Sequence, residues 1–356
     1  MDSEPRPTAP TPDISAVAVA TAAAPAVRGA PVLPRPWLVA DIGGTNARFG
    51  WLGPGAQDVA QVMTLRVADH DSPAAAARAY LASLRQTLGT AYSAPHAAAL
   101  AVATAVGQDH VALTNSGWAF SRRATQQELG LDTLLVLNDF EALALSLPRL
   151  RPAQVRAMGA ATPGQGNRAV IGPGTGLGVA GLTHTAHGWV AIAGEGGHAS
   201  LSPADDFESQ ILSHVRLLHG HVSAERLLSG IGLPVLHQAV AAALGLTAGA
   251  LDAGAVVEQG MARSDEACSR TLDSFCALLG SFAGNVALIL GARGGVYIGG
   301  GIVPRLGERF FESQFRERFE AKGRFQGYLA AIPTLVIKDT RAALSGATLA
   351  LEQQGR

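Results

Sequence analysis

From residue 37 onward, short apolar runs alternate with stretches whose apolar positions recur at helical spacing, the pattern of an α/β chain. Trp37 to Leu52 holds two apolar runs around a Gly-Thr turn, and Val59 to Val67 continues in strand rhythm. Ser72-Pro73 opens a helix reaching about Leu88, since serine caps free amides and proline fits the first helical position. Ala97 to Thr104 reads as a strand, another leads through Val111 to Phe120, and Ser121 is placed to cap the helix holding Leu129. Thr133 to Leu137 is wholly apolar, as expected of a strand buried on both faces in a parallel sheet. It ends at Asn138-Asp139, before a helix through Glu141, Leu143, Leu145 and Leu147. Pro163-Gly-Gln-Gly166 marks a candidate domain edge. Beyond it come strands over Val179 to Leu182 and Trp189 to Ala193, a helix from about Asp205 to Leu218 and a short helix over Ser223 to Gly230. Leu272, Phe275, Leu279, Phe282, Val286 and Ile289 form a helical core stripe. Gly295 to Ile298 is a strand, Phe310 to Phe319 an amphipathic helix, Ile332 to Ile337 the last strand, and Thr340 to Glu352 the closing helix.

A length of 356 residues allows about two domains. With 48% hydrophobic and 15% charged residues the chain has ample material for a core, and a net charge of −1 argues against a nucleic-acid surface. Cys268 and Cys276 form no Cys-x-x-Cys pair and read as reduced core cysteines of a cytosolic protein, not as a zinc site or a disulfide. Residues 1–34 are rich in Ala and Pro without periodicity and are expected to be a disordered tail. A secretory signal is disfavoured because Asp2, Glu4 and Asp13 replace the positive charge it requires. No later segment approaches the uninterrupted apolar length of a membrane span.

The glycine turns carry the chemistry. Gly172-Pro-Gly-Thr-Gly-Leu-Gly178 fails the dinucleotide fingerprint, because Leu177 or Val179 stands where its last glycine belongs. The only lysines are Lys322 and Lys338, which removes the Walker loop and the strand lysine of protein kinases. The turn therefore reads as a hairpin whose tip offers N–H groups and the Thr175 hydroxyl to a phosphate. The same design occurs at Asp41-Ile-Gly-Gly-Thr-Asn46, with Gly44-Thr45 superposing on Gly174-Thr175. Either turn alone also reads as an ordinary glycine hairpin; two copies with threonine in one place favour the phosphate reading. Gly299-Gly-Gly301 is a third place where backbone can approach a ligand closely. Asp139 ends its strand where ligands gather in open α/β sheets. From the Asn-Asp pair alone a helix cap is the stronger reading, yet the position also suits a general base. Glu225 could equally be a surface acid in a first helical turn.

These blocks, with Leu113-Thr-Asn-x-x-Trp-Ala-Phe, Gly194-Glu-Gly-Gly-His, Ser223-Ala-Glu-Arg and Gly299-Gly-Gly-Ile-Val-Pro-Arg, resemble in residues and order the bacterial glucokinases of the hexokinase-like type. The resemblance covers residues 37–352. It implies a two-lobed actin-like ATPase (ribonuclease H-like) fold, with a duplicated mixed-sheet core and an interlobe cleft. The small lobe would be residues 35–149 plus 340–356, the large lobe 150–339. It implies phosphorylation of D-glucose by ATP, the first step of glycolysis. Asn138, Asp139, Glu195, His198 and Glu225 would hold the sugar, with Asp139 the base on the 6-hydroxyl. Gly43, Gly44, Thr45 and Asn46 with Gly172, Gly174, Thr175 and Gly176 would take phosphates, Gly299, Gly300 and Gly301 would back the adenosine, and Asp41 would position Mg²⁺ through water. It further implies a cytoplasmic homodimer. Ile231 departs from the family, where many members have proline. The zinc-binding cluster of the repressor-type sugar kinases is absent. A sugar-sensing regulator would need a DNA-binding module, for which residues 1–34 offer no basic face, and an actin-like filament protein leaves Glu195, His198 and Glu225 unexplained together.

Overall fold

Apolar runs too short for helices sort into two sheets of one design in the computed structural model, which describes residues 35–113, 116–159 and 161–354. The tail expected over residues 1–34 lies outside these, as do Thr114 and Asn115. The first sheet contains β1 (Trp37–Ile42), β2 (Asn46–Leu52), β3 (Ala60–Arg66), β4 (Ala97–Val102) and, after the small β5 (His110–Ala112) and β6 (Ala119–Ser121) ribbon, β7 (Thr133–Asn138). Its order is β3-β2-β1-β4-β7; β1 to β3 form an antiparallel meander, and β4 and β7 extend it in parallel. The second sheet contains β8 (Val155–Met158), β9 (Arg168–Pro173), β10 (Leu177–Thr185), β11 (Gly188–Gly194), β12 (Gly295–Ile298) and β13 (Thr334–Ile337), ordered β11-β10-β9-β12-β13-β8. Again a meander, β9 to β11, is extended by parallel strands, β12 and β13. The duplication read from two turns extends to the whole topology.

Helices α1 (Pro73–Leu88) and α2 (Arg122–Glu128) start where expected, with Ser72 and Ser121 accepting the amides of Ala75 and Ala124. The second core is organised around α7 (Glu266–Leu290), joined by α4 (Asp206–Leu218), α5 (Leu233–Ala243), α6 (Ala253–Ala262) and the short helices α8 (Val303–Leu306), α9 (Glu308–Phe311), α10 (Phe315–Glu320) and α11 (Gln326–Ala330). Phe275, Phe310, Phe315 and Phe319 are fully enclosed here, each burial contributing about 1.5–3 kcal/mol. An 18-residue window of α7 reaches a mean hydropathy of 1.6, enough by length and composition to cross a membrane, but 78% of that window is buried inside the molecule, as in the core helix of a globular protein.

Two helices lie between the sheets. Ala144, Leu145 and Leu147, in and just after α3 (Asp139–Ser146), pack on Val170, Ala180 and Leu182 of the second sheet. Leu344, Ala347 and Leu351 of α12 (Ala342–Gln354) cover Trp37, Val39 and Leu52 of the first. The helices cross so closely that a Cβ at Gly346 would lie 1.6 Å from the Ala142 carbonyl oxygen.

Three expectations are corrected. β7 is an edge strand and only half-buried in part, not enclosed on both faces. The Pro-Gly break at 163–166 is a loop inside the second sheet, because β8 before it already pairs with β13. Ser223 to Gly230 forms turns, and the helix follows at Leu233.

Candidate active site

The two Gly-Thr hairpins close in related ways. Gly43 N donates to Asn46 O at 2.9 Å, and Gly174 N donates to Gly176 O at 2.8 Å. In each tip two consecutive amides, of Gly44 and Thr45 and of Thr175 and Gly176, donate to no backbone acceptor among the described residues. Thr45 and Thr175 are exposed. Paired free amides on a tight turn form a concavity suited to an anion.

The hairpins differ in how their glycines are used. Gly172 and Gly178 face each other across β9 and β10, and a Cβ on them would lie 2.4 and 2.0 Å from the Phe140 ring. Their lack of side chains admits that ring. A Cβ on Gly176 would meet Glu225 Oε2 at 2.5 Å, and one on Gly300, whose φ is +78°, would meet Pro173 O at 2.3 Å. Gly174 and Gly301 have open space on that side. Thus Gly172, Gly176 and Gly300 serve protein packing directly, while Gly174 and Gly301 leave room for a ligand.

Asn138 and Asp139 occupy the junction of β7 and α3, and the cap reading of this pair holds. Asn138 Oδ1 accepts the amides of Phe140 and Glu141 at 2.9 and 3.3 Å, and the Glu141 carboxylate returns to Asn138 N, completing a capping box. Asp139 stands at the first helical position with Oδ1 accepting Phe140 N at 2.9 Å. Burial pushes its carboxyl up to about 6, and the like charges of Asp41 and Glu195 push the same way. Burial also raises Asp41, opposed by the Arg48 guanidinium at 3.3 Å. Asp139 therefore sits in a cluster with Asp41 and Glu195, carboxylates drawn from both sheets whose charges bear on it.

Glu195, His198 and Glu225 meet beside the second hairpin. A tight turn carries Glu195 and His198, with His198 N donating to Glu195 O at 3.0 Å, and Glu225 N donating to Gly197 O at 2.8 Å ties the two segments. Glu225 Oε2 accepts Leu177 N at 2.8 Å, while Oε1 lies 3.8 Å from His198 Nε2. Glu225 is thus a half-buried brace of the second hairpin with one oxygen left for other partners. Glu195 and His198 are exposed.

The glucokinase family model matches residues 38–354. The chain belongs to the glucokinase family. Relatives include the glucokinase of Neisseria meningitidis serogroup B, 47% identical over 90% of this chain and 96% of that protein. That of Paramagnetospirillum magneticum is 48% identical over 87% of this chain and 95% of the relative. The crystal structure of a glucokinase from an Antarctic psychrotroph superposes with a TM-score of 0.81 at 39% identity, covering 89% of this chain and 98% of that one. The two-lobed actin-like architecture follows. Within this glucokinase family framework, sequence reasoning missed the roles of Phe140, Glu141 and Arg48. Phe140 carries no polar chemistry to flag it. The available signal was the glycine pair that a hairpin through residue 175 sets face to face, a bare patch of the kind aromatic rings cover. Arg48 was foreseeable as the cross-strand partner of Asp41.

Proposed function

We propose that this chain transfers the γ-phosphoryl group of ATP to the 6-hydroxyl of D-glucose, with Asp139 as the general base. The observation carrying this reading is the position of Asp139. It stands at the carboxyl end of β7, in one charge cluster with Asp41 and Glu195, its carboxyl held at about 6, where a base is deprotonated at neutral pH and still basic enough to accept a proton. Phosphoryl transfer asks little covalent help of the protein; it needs an oriented alcohol and a neutralised, shielded phosphate.

In this mechanism the free amides of Gly44, Thr45, Thr175 and Gly176 and the two threonine hydroxyls take the phosphates, and Gly299 to Gly301 lie along the adenosine. Gly43, Asn46, Gly172, Gly174 and Gly176 shape those tips. Asn138, Glu195, His198 and Glu225 accept or donate hydrogen bonds to the sugar hydroxyls. A sugar lacking one of them leaves a desolvated acceptor unpaired, the costly state that gives specificity. Asp139 Oδ2 takes the proton of the 6-hydroxyl as that oxygen attacks phosphorus, and ADP leaves. The oxygen-only donor set around Asp41 fits Mg²⁺, and the mutual repulsion of Asp41 and Asp139 is the condition a cation relieves. When bound, Mg²⁺ supplies charge neutralisation on the phosphates. Asp41 would hold it through water while Arg48 fixes the carboxylate from behind.

The lobes in this reading are residues 35–149 with 340–356, and 150–339, closing on sugar to exclude water. The enzyme works as a homodimer in the cytoplasm. A coupled assay with ATP, Mg²⁺ and a panel of hexoses tests the reading: glucose should give the highest kcat/KM, and a flat profile across hexoses would defeat the assignment.

A further inference from the structure

His237 on α5, Asp265 at the N-cap of α7 and Cys268 in its first turn bring an imidazole, a carboxylate and a thiol to one point outside the residues of the cleft. One ligand atom from each lies within 4.8 Å of the others. His237 is 2% exposed and Cys268 0%. His237 Nδ1 faces Cys268 Sγ at 3.9 Å and Thr271 Oγ1 at 3.5 Å. That hydroxyl already donates to Ala267 O at 2.6 Å, and Sγ is also flanked by Gln259 Oε1 at 4.0 Å and by the Asp265 carboxylate. The contacts of this buried ring nitrogen are therefore both long, the hydroxyl at 3.5 Å and the thiol at 3.9 Å. The spacing is instead close to the roughly 3.5 Å between ligands that Zn–N of about 2.0 Å and Zn–S of about 2.3 Å impose at tetrahedral angles. Asp265 is preset for a ligand role, because Oδ1 is held by Cys268 N at 2.6 Å as it caps the helix. This fixes the direction of the second oxygen, as outer hydrogen bonds do at metal centres.

We propose that His237 Nδ1, Asp265 Oδ2 and Cys268 Sγ, closed by Gln259 Oε1, bind one divalent cation of the zinc class that clamps α5 and α6 to the start of α7. The mixed nitrogen, sulfur and oxygen set suits zinc and disfavours Mg²⁺. Binding forms four coordinate bonds, releases the Cys268 thiol proton to solvent and involves no redox change. The cysteine spacing hides the site from the sequence, since its histidine comes from a different helix.

Titration of Co²⁺ into full-length protein stripped of metal tests this. One equivalent should generate a thiolate-to-cobalt absorption band in the near ultraviolet, and Zn²⁺ should abolish it. Cys268→Ser should lose the band, Cys276→Ser should keep it, and His237→Ala should weaken Co²⁺ binding about tenfold or more. Glucose phosphorylation by each variant reports that it is folded. The proposal is overturned if the unaltered protein gives no thiolate band, or if the band persists in Cys268→Ser. Should Cys268→Ser misfold, the band of the unaltered protein and its displacement by Zn²⁺ still decide.

Discussion

The two Gly-Thr hairpins share one design and are supported differently. The first, between β1 and β2, is held mostly by its own strands, by the Asp41–Arg48 pair, and by Val67 N donating to Thr45 O at 2.9 Å. The second, between β9 and β10, is braced from several sides. Phe140 covers Gly172 and Gly178, Glu225 holds Leu177 N, and Gly230 N and Ile231 N donate to the tip carbonyls of Gly174 and Thr175 at 2.7 and 3.3 Å. With its carbonyls occupied, the second tip keeps its amides facing outward; the first has fewer such constraints. The contrast teaches that one turn is fixed by contacts from several parts of the second lobe, while the other rests on its own strands beside the Asp41, Asp139 and Glu195 carboxylates.

If both hairpins bind nucleotide and Asp139 alone removes the proton, Asp139→Asn should lower kcat by about 10²–10⁴ while ATP and glucose still bind. Calorimetric titration alongside the coupled assay separates the two, and retained turnover would end the base assignment. Gly178→Ala should destabilise the protein by about 1–3 kcal/mol, because the new methyl overlaps the Phe140 ring. Gly174→Ala in the same hairpin should change denaturant stability by less than about 0.5 kcal/mol, and equal effects would erase the distinction drawn between these glycines.

The pH profile probes the charged side of the comparison. With the Asp139 carboxyl at about 6, kcat/KM should fall about tenfold per pH unit below that value. Stability moves oppositely. Between the ordinary carboxylate value of 3.8 and about 6, the folded state keeps a proton that the unfolded chain has lost. This contribution is therefore present at low pH and disappears as pH rises through about 6. Acid-limb kinetics and pH-dependent unfolding should cross in that window. The smallest effect belongs to Ile231→Pro, which removes one hydrogen bond to Thr175 O at an exposed position. The lost bond and the stiffened loop offset one another, so the melting temperature should stay within about 2 °C.

Motifs that combine chemistry with backbone need were legible in the chain. Asn138-Asp139, the hairpin tips and the Glu195 turn could be placed because glycine, cap and carboxylate signals coincide there. Segments without such signals were not. α5 is almost wholly apolar, broken only by His237 and Gln238, since most of it is buried in the second core. β8 is four residues long with Arg156 in its middle, so the louder Pro-Gly break after it drew the boundary. Ser223 to Gly230 carries helix-like spacing, yet the tie from Glu225 to Leu177 and the Ser229 hydroxyl donating to Glu225 O hold it in turns. Contacts set by tertiary neighbours override local propensity there.

The position of α12 governs how this protein can be made. Trp37, Val39, Ala97 and Ala99 are covered by Leu344, Ala347 and Leu351, so on the ribosome the earliest strands must wait, greasy face uncovered, until the final helix emerges. Nascent chains stalled short of that helix should be strong chaperone clients and prone to clump.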